Sequence, residues 1–220
     1  MSLLNDHGVN RMKRLVFRIL AAYCVVISGG CNQSNLQASS SPSSAVPALA
    51  WEKGHPERIS WSAELRNQIS SYLADFDKAP DLADFCPAYS TISAQDRVSV
   101  LATIIVGIAK YESNYNPKEH FGEPPPLGYD SIGLFQLSYE DGFSWCRLDR
   151  KTKSLENPLI NIQCAVPEMA RLTVKDKIFA AGKTSDDAEG LAKYWSVLRE
   201  GSKHHLDDIK KLSRSLAICK

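Results

Sequence analysis

The feature that most constrains this chain is an apolar stripe of helical period that ends on a carboxylic acid. Val98, Leu101, Ala102, Ile105, Ile108, Ala109 and Glu112 recur at steps of three and four, which places them on one helix face. Ser93-Ala94-Gln95-Asp96 supplies a start with capping-box form, a Ser followed three residues later by a carboxylate. Pro117 forbids much continuation beyond the acid. Burial raises the pKa of a carboxyl at the end of such a stripe, and the negative end of the helix dipole raises it further. A Glu held neutral near pH 7 is the group glycosidic cleavage needs, because the leaving oxygen must receive a proton. The plain alternative is a surface Glu at a helix end.

Around this acid stand two motif blocks, Glu112-Ser-x-Tyr-Asn-Pro117 and Ser131-x-Gly-Leu-x-Gln-Leu137. Together they resemble the signature of the lytic transglycosylase and goose-type lysozyme superfamily. The resemblance runs from about Val98 to Leu172, with a weaker echo at Tyr194. It implies a mainly α, α+β lysozyme-like fold: a helical domain with a small β or loop subregion beside an active-site cleft. It also implies Glu112 as the single catalytic acid, with Ser113, Ser131, Gly133, Gln136 and Tyr194 as substrate-binding positions. The family's usual Asn after the tyrosine is Trp195 here.

Two outcomes follow from the resemblance. In a lytic transglycosylase, Glu112 protonates the oxygen between N-acetylmuramic acid and N-acetylglucosamine. It then takes the C6 hydroxyl proton as a 1,6-anhydro ring closes, so one carboxylate suffices. A hydrolytic goose-type-like lysozyme of the inverting kind needs a second carboxylate roughly 6.5–9.5 Å away to activate water. Goose-type enzymes carry an acid directly after the second block, where this chain has Ser138; Glu123, Asp130, Glu140 and Asp141 are the candidates nearby. The sequence leans toward the transglycosylase. An alternative of another class is a non-catalytic lipoprotein that binds glycan in the same cleft.

The remainder is organised around this domain. Arg11, Lys13 and Arg14 precede an apolar run from Leu15 to Ile27, followed by Ser28-Gly29-Gly30-Cys31. Residues 1–31 therefore read as a lipoprotein-type signal with Cys31 as the acylated residue, giving an exported, periplasmic or cell-envelope protein anchored to the membrane by lipid. Residues 32–50 are rich in Ser, Ala, Gln and Pro and read as a flexible tether. The catalytic domain is expected over 51–220.

Four of the 26 basic and one of the 25 acidic residues precede Cys31, so the rest carries about −2. That charge disfavours nucleic acid as a partner, since such a binder should show a basic stripe. Peptidoglycan strands are the expected partner, with no metal or other cofactor, and the chain is read as a monomer. Cys86, Cys146, Cys164 and Cys219 form an even set with no Cys-x-x-Cys spacing, which points to two disulfides in an oxidising compartment. Three pairings exist. Cys146–Cys164 is favoured because Cys146 follows the motif region and Cys164 sits on the next helix, leaving Cys86–Cys219.

Further helices are expected from a stripe over Ile59–Phe76, from Asn157-Pro158 onward with a kink or split at Pro167, over Ser185–Glu200, and over Ser202–Ala217. The three prolines of Lys118–Asp130 rule out helix interior and central strand, leaving a stiff loop beside the cleft. Phe121 and Tyr129 are available there to stack on sugar rings.

Overall fold

A computed structural model describes residues 47–220. The signal, Cys31 and most of the tether lie outside the described residues. The folded body begins earlier than residue 51, because Leu49 is already buried.

The centre is helix α4, Ala94–Ser113. Ser93 Oγ accepts from the Asp96 amide at 3.1 Å, so the expected cap forms. Burial extends beyond the expected stripe: Val100, Ile104 and Val106, off that face, are buried as well. A helix apolar on most of its circumference has to be surrounded, and this one is. Helix α1, Ile59–Ser71, packs on it, and so does α6, Leu206–Arg214. Gly107 lets α6 approach closely, since a Cβ there would lie 3.3 Å from Ile209 Cγ1.

The stripe over Ile59–Phe76 is two helices. After α1 the chain breaks at Tyr72 before α2, Leu73–Phe76, and a further turn, α3, covers Leu82–Phe85. Ile59 is exposed, so the stripe starts later than its pattern suggests. Helix α5, Pro158–Asp176, starts as expected, with Asn157 Oδ1 accepting from the amides of Leu159 and Ile160. It is not split at Pro167. That residue is largely buried and α5 packs along α1 and α2, so tertiary packing outweighs the lost backbone bond.

The β content is two small antiparallel pairs. Strand β1, His120–Gly122, pairs with β2, Asp130–Ile132, with Phe121 opposite Ser131. The Pro-rich loop is therefore the tip of a hairpin. Strand β3, Ala180–Ala181, pairs with β4, Glu189–Gly190.

This second pair overturns the helix expected over Ser185–Glu200, where only two short 3-10 turns form, Leu191–Lys193 and Ser196–Leu198. Gly190 has φ of 57°, and a Cβ there would fall 2.3 Å from the Ile178 carbonyl. Asp176 fixes the segment by accepting from Gly190 N at 2.8 Å and Lys193 Nζ at 2.7 Å. These long-range bonds draw the chain out of a helical path. The last expected helix likewise contracts to α6 and a 3-10 turn, Ala217–Cys219.

Both favoured disulfides form. Cys86–Cys219 has a Cα separation of 4.8 Å and Cys146–Cys164 of 5.3 Å. They fit an oxidising, exported compartment. Among the described residues, no helix is long and apolar enough to cross a membrane.

Candidate active site

The last turn of α4, the β1–β2 hairpin and the segment from Ser185 to Arg199 enclose a cleft of about 490 Å³. Glu112 enters it from α4, with Ile108 and Ala109 fully buried in the preceding turn. As a residue Glu112 is only half-buried, yet its Oε1 is out of solvent and has no hydrogen-bond partner. Burial, with the charge of Glu123 added, pushes its carboxyl up to about 8. At neutral pH it is mostly protonated.

Glu123 follows β1 and lines the same cleft. Ser131, paired across the hairpin near it, donates its hydroxyl to Glu123 Oε1 at 2.7 Å. One carboxyl in the cleft thus lacks a partner, while the other accepts a hydrogen bond. Leu127 and Tyr129 complete the hairpin wall, and Tyr194, Lys193 and Arg199 stand on the opposite segment. Phe121 lies on β1 outside this cavity and is exposed.

The turn after β2 is braced rather than open to a ligand. Gly133 has φ of 80°, and a Cβ there would meet Asn161 Nδ2 at 2.4 Å and the Leu155 carbonyl at 2.5 Å. The close approach it permits is that of Asn161 on α5 and of the Leu155 carbonyl. Asn161 is fully buried and clamps the turn: Oδ1 accepts from Phe135 N, and Nδ2 donates to the carbonyls of Ile132 and Leu155, all at 3.0 Å. Ser113 is also turned inward, with Oγ 3.0 Å from Leu134 O and 3.2 Å from Ala109 O. It fastens the end of α4 to the turn and does not line the cleft. Gln136 does line it, with its backbone in the left-handed region and its Nε2 donating to Gly133 O at 2.9 Å.

The other candidate carboxylates are engaged elsewhere. Asp130 and Glu140 line a neighbouring cavity with His120 and Arg150, and Glu140 is held by Arg150 and by the Ser138 hydroxyl. Asp141 accepts from Ser138 N at 2.7 Å and from the Tyr194 hydroxyl. Burial raises the Asp141 pKa against the pull of these bonds. Burial and the Asp141 charge raise Tyr194 well above the ordinary tyrosine range. Tyr194 therefore reaches the cleft with its hydroxyl turned to Asp141, not to Glu112. Among the described residues, no three His, Cys, Asp or Glu side chains could together hold a metal ion.

No protein-family profile matches the chain, and no curated protein matches it. Solved structures do. The wild-type form 2 of Bd0314 DslA is 30% identical and superposes with a TM-score of 0.69, over 79% of this chain and 98% of that one. The chain belongs to the DslA family. Two Glu-to-Gln variants of DslA, substituted at positions eleven residues apart, are also 30% identical, with TM-scores of 0.68 and 0.65. The first covers 77% of this chain and 96% of its own, the second 78% and 97%.

Lys193, Arg199 and Leu127 line the cleft without having stood out in the sequence. Lys193 and Arg199 arrive only because the expected 185–200 helix is pulled apart. Trp195, read as a departure from the motif, donates Nε1 to Phe135 O at 2.9 Å and ties that segment to the braced turn.

Proposed function

We propose that this protein is a glycosidase that cleaves the β-1,4 bond between N-acetylmuramic acid and N-acetylglucosamine in peptidoglycan, with Glu112 as general acid. The observation that carries the reading is the unpartnered, mostly protonated Glu112 carboxyl in a cleft that also holds a second carboxylate. The substrate class comes from the motif resemblance. In the reaction, Glu112 gives its proton to the glycosidic oxygen as the bond from C1 breaks. The burial that kept it protonated then makes its carboxylate a ready acceptor for the next proton.

Glu123 favours the hydrolytic outcome over the single-acid transglycosylase route. It shares the cleft, and Ser131 fixes one of its oxygens. Glu112 and Glu123 are eleven positions apart, the spacing of the two glutamates separately changed to glutamine in DslA. As a carboxylate, Glu123 can activate water or attack C1 directly, according to its distance from the acid across the bound sugar.

Digestion of purified peptidoglycan, with mass spectrometry of the products, tests both levels. Reducing ends support hydrolysis, 1,6-anhydro ends support the transglycosylase, and no cleavage leaves the glycan-binding alternative. The proposal extends to location: an exported lipoprotein acylated at Cys31. A fatty-acid probe should label the wild type and fail to label Cys31→Ala.

A further inference from the structure

Away from the cleft, Tyr72 at the break before α2, helices α2 and α5, and the segment carrying Trp145 form a second groove of about 510 Å³. Its size is that of ordinary ligand sites. Tyr72, Pro167 and Val174 give it an apolar surface, with Asp75, Arg171 and Lys175 as charged groups; Lys78 Nζ lies 2.7 Å from Asp75 Oδ1, and Arg171 is paired with Glu168. Trp145 lines it while remaining 41% exposed.

Trp145 is held in place from several sides. Its indole Nε1 donates to the Cys164 carbonyl of α5 at 3.1 Å. The next residue, Cys146, is disulfide-bonded to that same Cys164. Its ring stacks on Phe143 with centroids 5.1 Å apart. A large exposed aromatic whose polar edge is already satisfied offers only its apolar surface. Because its orientation is fixed, little side-chain entropy remains to be lost on binding. Phe143 also contacts Tyr194 of the cleft, with centroids 6.5 Å apart. The groove is thus linked to the cleft by a short run of aromatic rings.

We propose that this groove is a second glycan-binding site, in which a pyranose ring of the amino-sugar polymer stacks on Trp145. Asp75 accepts from sugar hydroxyls and Lys175 donates to them. The site holds the polymer near the cleft and takes no part in bond cleavage. The choice of polymer rests on the glycosidase reading; the stacking site rests on Trp145. The chemistry of the occupant follows from the surface: one fixed aromatic ring, flat apolar neighbours and both a donor and an acceptor match a sugar ring with its apolar face and equatorial hydroxyls. A second copy of this chain would need no such mixture.

The test is co-sedimentation with insoluble peptidoglycan in a Glu112→Gln background, so that the polymer is not consumed. Adding Trp145→Ala or Val174→Glu should weaken binding about tenfold, the scale expected for a central aromatic contact. Trp145→Phe should retain most of it. With Glu112 intact, Trp145→Ala should slow digestion of whole peptidoglycan and leave cleavage of a short soluble oligomer unchanged. Val174 is partly exposed, so its variant reports on the groove even where Trp145→Ala perturbs folding. Equal sedimentation of Val174→Glu and the parent would overturn the proposal. So would concentration-dependent dimerisation that Trp145→Ala abolishes, since the occupant would then be another copy. Trp145-dependent binding without any cleavage by the wild type would uphold the groove and remove the glycosidase reading; cleavage with Trp145-independent binding would do the reverse.

Discussion

The two walls of the cleft carry the same functional group in different settings. On the helix wall, Glu112 stands at the end of a long helix whose preceding turn is packed on the core. Its Oε1 is dry and unpartnered. On the hairpin wall, Glu123 follows a three-residue strand on a largely exposed hairpin, and a neighbouring hydroxyl stabilises one of its oxygens. The difference teaches how one residue type can serve two roles. Desolvation disfavours the charge on one carboxyl, as the proposed acid requires, while the other is held in place by a donated hydrogen bond, as a positioned base or nucleophile would be.

The largest effect should come from removing the acid. Glu112→Gln keeps the shape and abolishes the titration, and cleavage of peptidoglycan should fall by about 10²–10⁴-fold while the fold survives. A folded variant cleaving at the wild-type rate would erase the distinction between the walls. Glu123→Gln comes next, with a loss of similar order on the hydrolytic route and a small one on the transglycosylase route. It also sharpens the comparison through pH. The Glu123 charge contributes to the raised Glu112 pKa, so its removal should move the alkaline limb of the remaining activity to lower pH. An unmoved limb would show that the two carboxyls do not sense each other.

A stability measurement isolates the cost of the dry wall. The Glu112 pKa is about 8 when folded, against 4.5 as its ordinary value. The folded state therefore binds more protons between these values, and stability falls as pH rises from 4.5 to 8. Glu112→Gln should be the more stable protein at pH 7, by roughly 3 kcal/mol on the linkage relation, and should converge with the wild type below pH 4.5. Denaturant titrations at both pH values check this. The smallest effect belongs to the hairpin tip. Replacing Pro124–Gly128 with a Gly-Ser linker removes Leu127 from the cleft and frees a segment that proline had restricted. Substrate affinity or preference should change by several-fold, on the scale of one lost apolar contact, with melting temperature nearly constant. A shift in melting temperature alone would make the tip structural.

Much of the helix wall was legible in the sequence. Ser93, the apolar spacing, Glu112 and Pro117 specify a capped helix and an acid near its end, because capping, periodicity and proline act within a few residues of themselves. The same holds for Asn157-Pro158 at the start of α5. The hairpin wall was legible only as a stiff loop. Its strands are three residues each, too short for a pattern, and the pairing of Phe121 with Ser131 is a contact between segments. The packing partners of Ser113 and Gly133 were illegible for a related reason. Their motif positions pointed to substrate, whereas the groups that claim them, Leu134 O and Asn161, come from the returning turn and from α5.

By itself, then, the sequence determined the central helix, the end of that helix, the acid near it and a cysteine set suited to two disulfides. Each depends on local backbone chemistry or on a count. Only the tertiary structure decided which second carboxylate shares the cleft, that Pro167 stays inside a continuous helix, and that 185–200 unwinds to bring Lys193, Tyr194 and Arg199 to the site. Those outcomes rest on bonds between distant residues, such as Asp176 to Gly190 and Trp195 to Phe135. Local propensity carries no information about such partners, and once made they outweigh it.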